Sequence, residues 1–137
     1  MTAKEYLSQA FIVDVDINTK LDQLKRLNAL ATKTTTTFSA VPFSGTPDPH
    51  RQEDIIIKII DLEDRIKDEM RRLVDLKSEI MTVVAGIDEP EQRIVLEKRY
   101  LEFKKWEDIA VEMNRSLRSI YRLHGEALKN EIGRAHV

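Results

Sequence analysis

Glu91 to Lys129 reads EQRIVLEKRYLEFKKWEDIAVEMNRSLRSIYRLHGEALK, and its apolar spacing predicts three consecutive helices. In the middle one Trp106, Ile109, Ala110 and Met113 fall at i, i+3, i+4 and i+7, so they share one face. Asn114-Arg115-Ser116 breaks that pattern. Asparagine tolerates the left-handed backbone of a tight turn, and the Ser116 hydroxyl can cap the next helix by accepting a bond from a free N–H. Beyond it Ile120, Leu123, Ala127 and Leu128 point inward, while Arg118, Ser119, Tyr121 and Arg122 take the other faces. Ala110, small and inward, lets two helices cross closely, so the last two helices are expected to form a helix-turn-helix. In the first helix Ile94, Leu96, Tyr100 and Leu101 are expected to face the core, with Arg93, Lys98 and Arg99 outside.

Before this head, Gly86-Ile87-Asp88-Glu89-Pro90 holds a stop and a start. Gly86 suits a helix C-terminus, Asp88 or Glu89 an N-cap, and Pro90 the first turn. Residues from about 51 to 85 form a long helix whose seam repeats in heptads through Ile59, Ile66, Leu73 and Ile80, flanked by Leu62, Met70, Leu76 and Val83. Residues from about 2 to 37 form another, with Ala10, Ile17, Leu24 and Ala31 in register beside Val13, Leu21 and Leu27. The β-branched run Thr34 to Thr37 is expected to fray its end. Residues 39–50 hold three of the four prolines and read as a linker that also contains His50. Two such helices invite an antiparallel hairpin, which buries only one stripe per helix and therefore has to pack on the head or dimerise. Ile55, Ile56, Ile57, Ile59 and Ile60 cover more than one face, which favours a second chain as the cover.

The expected class is therefore all-α, a long N-terminal helical hairpin or coiled coil followed by a three-helix head. The expected division is 1–87 for the paired helices, 88–131 for the head and 132–137 for a tail. That tail, IGRAHV, drops the helical pattern. It matches the translation of a common sequencing adapter in one frame, so it is expected not to be native.

Composition narrows the function. The chain of 137 residues has no cysteine, which excludes disulfides and thiolate metal sites. Charged residues make up 34%, yet the net charge is only −2, so any field that attracts DNA must be local. His50, His124 and His136 share no metal-ligand spacing, and no carboxylate accompanies a nucleophile or a Gly-rich phosphate loop. No enzyme activity, cofactor or metal is expected. No apolar run approaches a membrane span and the first residues lack a signal-peptide pattern, so a cytoplasmic protein is expected.

As an ordered set, the RIVLEKRYLE helix, the WEDIAVEM helix and the S-x-x-S-I-Y-R-L helix after a short turn resemble region 4 of sigma-70-type transcription factors. Glu107-Asp108-Ile109-Ala110 stands where that family places an acidic-acidic-Ile-Ala signature. With its helical N-terminal part, the whole chain is similar to small sigma-like regulators encoded by phages and prophages of Gram-positive bacteria, some of them late-gene activators. The resemblance implies a sequence-specific regulator of phage or prophage genes in the bacterial host cell, associated with the nucleoid. Its recognition helix, about 116–130, would enter the major groove of double-stranded DNA. RNA polymerase would be a second partner, and a homodimer through the N-terminal helices would prefer two half-sites about one or more helical turns apart.

On that reading Arg118, Ser119, Tyr121 and Arg122 are the candidate base or backbone contacts, since arginine grips guanine bidentately or binds phosphate and Ser or Tyr can bond to either. Arg115, Ser116, Lys104 and Lys105 are the candidate phosphate contacts at the turn and helix start. Tyr121 is equally suited to stacking on the core. Trp106 is expected to be a core anchor, and His124 a surface residue within reach of phosphate. Gly125 departs from the family, which has a basic residue there, and costs a helix about 1 kcal/mol relative to alanine. Two other readings stay open: a polymerase- or sigma-binding interaction module, and a DNA-packaging adaptor resembling a terminase small subunit.

Overall fold

The computed structural model describes residues 1–40 and 49–129, with the backbone alone for residues 34–40 and 49. It contains five α-helices: α1 (Ala3–Ala40), α2 (Pro49–Ala85), α3 (Pro90–Leu96), α4 (Trp106–Glu112) and α5 (Leu117–Ala127), and no strand among the described residues. The all-α expectation holds. The described residues contain no helix long and apolar enough to cross a membrane.

Both long helices overrun the expected ends. α1 continues through Thr34–Thr37 to Ala40. A β-branched residue weakens a helix by less than about 1 kcal/mol, so four in a row do not stop one that is already propagating. α2 begins at Pro49, a residue suited to a first turn, so His50 lies in a helix rather than a linker, with Nδ1 4.0 Å from the Glu53 carboxylate. Most of the expected linker, residues 41–48, and the tail 132–137 lie outside the described residues.

The chain divides into two compact units, and the division does not follow the ends of the helices. One takes Met1–Asp14 together with the chain from Arg72 on; the other is Val15–Arg71. In the first unit the start of α1 lies beside the end of α2, and both pack on the head. Ala3, Tyr6, Leu7 and Ala10 of α1 share a buried cluster with Ile80 and Val84 of α2 and with Ile87, Leu96, Tyr100 and Ala127. The Tyr6 hydroxyl donates to Glu79 Oε1 at 2.7 Å, which places one polar bond in this apolar seam. The helix ends and the head thus share one core, the arrangement that relieves a hairpin of its exposed stripe. In the second unit the seam buries Ile17 of α1 and Ile55, Leu62 and Ile66 of α2. Gln23, Arg26, Leu27 and Leu30 there line a groove of about 480 Å³ with Lys58, Asp61, Leu62 and Arg65.

Local chemistry sets the head's boundaries. α2 stops at Gly86, where the Gly86 and Ile87 N–H groups bond back to Val83 O and Val84 O. Of the two candidate caps Glu89 fills the role: its carboxylate accepts from the N–H groups of Glu91 and Gln92, one step ahead of Pro90. After α3 the backbone widens over Glu97–Leu101, with an i→i+5 bond from Glu102 N–H to Glu97 O. The chain then turns through Phe103 at φ 58°. A phenylalanine in the left-handed region is strained. Its ring is held edge-on to Phe11 at 5.6 Å and beneath the Lys77 ammonium at 4.6 Å.

Candidate nucleic-acid interface

The turn between α4 and α5 is built by three consecutive residues. At the end of α4, Asn114 adopts φ 53°, its N–H bonds to Val111 O at 3.2 Å, and the Arg115 N–H bonds to Ala110 O at 2.9 Å. This is a Schellman-type stop, with asparagine in the left-handed position that glycine usually takes. Two residues on, Ser116 is extended (φ −70°, ψ 154°) and its Oγ accepts from the Ser119 N–H at 3.1 Å. Asparagine stop and serine cap meet the sequence expectation, and together they end one helix and start the next within three residues.

A compact core beneath the turn fixes how α5 is presented. Ile109, Ala110, Ile120 and Leu123 are buried together with Val95, and Trp106 and Met113 pack against them. Val95 lies with Gln92 and Leu96 at i, i+3 and i+4 on α3, a buried face of which only Leu96 was expected from the sequence. Gln92 is buried as well, and its amide donates to Glu126 Oε2 at 3.3 Å.

The eight candidate contacts separate into groups. Arg118 is exposed and has no side-chain partner among the described residues; Lys105, exposed at the start of α4, has none either. Arg122 is exposed and lies 3.5 Å from Glu126 one turn on, a pairing that water screens heavily. Tyr121 stacks on the core, its ring edge-on to Trp106 at 5.4 Å, and 48% of it stays accessible. Ser116 is committed to its cap, and the Ser119 hydroxyl accepts from Arg115 Nη1 at 3.3 Å.

Arg115 and Lys104 are already held by carboxylates. The Arg115 guanidinium bonds twice to Glu91. The Lys104 ammonium bonds to Glu112, with Glu102 at 3.6 Å. That hydrogen bond raises the Lys104 ammonium above its ordinary pKa and lowers the Glu112 carboxyl below its own. Sequence spacing gave no sign of either pairing with Glu91 or Glu112, because the partners meet only across helices.

Two expectations about the head's other polar groups are corrected. Arg93, Lys98 and Arg99 are half-buried rather than outside. Arg93 donates to Ile87 O at 3.1 Å, Lys98 lies 3.7 Å from Glu112, and Arg99 donates to Lys104 O at 2.9 Å with its guanidinium 4.5 Å over Trp106. His124 is half-buried rather than a surface residue. Its ring meets Trp106 edge-on at 4.7 Å, and its Nε2 shares a 2.7 Å hydrogen bond with the Tyr100 hydroxyl. Burial, with Lys4 and Arg99 nearby, lowers His124 to about 4, and burial raises Tyr100 to about 12. Both are neutral at physiological pH, so His124 offers no charge to a phosphate. Trp106 is the hub of this cluster, as an anchor should be.

No group of three or more His, Asp or Glu side chains among the described residues is placed to hold a metal ion. What the surface offers is a helix with Arg118, Tyr121 and Arg122 outward, Lys105 exposed just before α4, and carboxylates on Arg115 and Lys104.

No curated protein and no solved structure gives a match to the chain. A family model, DUF1492, described as a protein of unknown function, matches residues 32–131. That span takes in α2 to α5 and more than half of the chain, which therefore belongs to the DUF1492 family.

Proposed function

We propose that the chain is a sequence-specific DNA-binding regulator of transcription, as its resemblance to sigma region 4 implies, acting on phage or prophage genes. In this reading α5 lies in the major groove. The observation that carries it is the pairing of a tight stop-and-cap turn at Asn114 and Ser116 with an outward α5 face bearing Arg118, Tyr121 and Arg122. A helix is the element that the major groove admits, and its first turns reach the base edges. Arg118 stands in the first turn of α5, has no competing side-chain partner among the described residues, and supplies the fork that reads guanine. Lys105 adds a phosphate contact, and Arg115 adds another once Glu91 releases it.

The test is selection from a pool of random duplexes by the full-length chain, followed by sequencing of the bound fraction. A regulator of this kind enriches one motif. A pool that stays random after several rounds counts against base reading.

A second reading has an observation of its own. Val111 on α4 is 80% exposed and Leu117 at the start of α5 is also exposed, so the turn carries apolar as well as basic groups. A head docking on RNA polymerase or another protein would use them. Its mark is a function that survives Arg118→Ala and Arg122→Ala but not Val111→Asp.

A further inference from the structure

α2 carries two apolar seams, and the described residues cover only one. On the inner seam Ile55, Leu62 and Ile66 are buried and Ile59 is half-buried. One residue further round the helix, Ile56, Ile60 and Met70 are 47, 53 and 50% exposed. These positions alternate in steps of four and three with Glu63 and Lys67: 56, 60, 63, 67, 70. That alternation keeps all five on one stripe, the geometry of a helix-pairing seam. By the sequence register of α2 the next position is Val74, also exposed. Glu63 and Lys67 are exposed and have no side-chain partner among the described residues.

We propose that this outer seam of α2 pairs with the same seam of a second copy of the chain, antiparallel, about a two-fold axis level with residue 65. Charge selects both partner and direction. In a parallel pair Glu63 meets Glu63 and Lys67 meets Lys67, which repel. In the antiparallel pair each position i faces position 130 − i, so Glu63 faces Lys67, Ile60 faces Met70 and Ile56 faces Val74. The two-fold repeats every one of these contacts, as a self-complementary interface requires. Sliding by one heptad in one direction sets Lys67 against Met70 and Glu63 against Val74. Sliding in the other sets Ile56 against Lys67 and Ile60 against Glu63. Both slips bury a charge against an apolar side chain, which is costly. One register alone pairs apolar with apolar and acid with base, the role that a single polar layer plays in fixing register between helices. The pairing stands whether or not the head binds DNA.

The test uses the full-length chain, which has no cysteine of its own. Ile60→Cys and Met70→Cys proteins are oxidised separately and as a mixture. A disulfide-linked dimer is expected in the mixture and in neither protein alone, because position 60 faces position 70 of the other copy. Crosslinking of either protein alone, or none in the mixture, overturns the proposal. In sedimentation, Glu63→Lys and Lys67→Glu should each weaken the dimer by about tenfold or more, and the double exchange Glu63→Lys/Lys67→Glu should restore it. Both residues are exposed, so the single variants keep the fold, and a circular dichroism melt checks this. A wild-type chain that sediments as a monomer, a dimer indifferent to the single exchanges, or a double exchange no better than the singles contradicts the pairing.

Discussion

The Arg115 guanidinium grips the Glu91 carboxylate at both prongs, 2.6 Å from Nε to Oε2 and 2.5 Å from Nη2 to Oε1, tying the turn before α5 to the first turn of α3. On the proposed reading, a candidate phosphate contact is thus held by an acid of its own chain. Glu91→Gln keeps the shape and removes the opposing charge. Duplex affinity at low salt should rise, and the slope of log K against log salt should steepen by about 0.9, the signature of one more phosphate contact. Adding Arg115→Ala in that background should cancel both changes. An unchanged slope in Glu91→Gln would mean that Arg115 does not reach the backbone.

His124 makes the head's stability depend on pH. Its folded-state value, about 4, lies below its ordinary 6.5 because it is buried. Above pH 6.5 the imidazole is neutral in both folded and unfolded chains, and the contribution is fully present. As pH falls from about 6.5 towards 4 the unfolded chain takes up a proton that the folded head refuses, and stability is lost. The melting temperature of the wild type should fall more steeply between pH 7.5 and 5 than that of His124→Gln. Parallel slopes would contradict the buried neutral histidine.

Gly125 lies inside α5, and a Cβ built there meets nothing within 4 Å. Gly125→Ala should therefore stabilise the head by about 1 kcal/mol, read as a higher denaturation midpoint. A lower midpoint would show that the position needs glycine for a reason other than space.

Asn114 takes φ 53° to stop α4. Asn114→Gly should be tolerated, whereas Asn114→Val should cost about 1–2 kcal/mol, because a β-branched residue resists the left-handed region. Equal unfolding midpoints for the two variants would remove the turn's dependence on that conformation.

What the sequence made legible was local. The i, i+3, i+4 face of Trp106, Ile109, Ala110 and Met113, the Asn114 stop, the Ser116 cap and the break from Gly86 to Pro90 each depend on a few neighbouring residues. Contacts across helices were not legible. Arg115 and Glu91 are 24 residues apart, as are Tyr100 and His124, and Tyr6 and Glu79 are 73 apart. No periodicity marks which acid will meet which base. The widened turn at Glu97–Leu101 was invisible for a related reason, since one displaced backbone bond leaves no signature in side-chain type. The isoleucines of α2 lie between these cases. Their number announced two faces, but only the fold shows that Ile55 is covered and Ile56 and Ile60 are not.

Whether α5 reads bases, as proposed, turns on Arg118 and Arg122. Fluorescence anisotropy on a labelled duplex carrying the selected motif, and on a scrambled one, would be recorded at two salt concentrations for the wild type and Arg118→Ala/Arg122→Ala. The wild type should prefer the motif. The variant, folded with an unchanged melting temperature, should lose the preference at roughly 1–3 kcal/mol for each base-reading arginine. Weak, salt-erased binding to both duplexes should remain. A wild type that binds motif and scramble alike, or a variant that keeps the preference, would contradict base reading by α5.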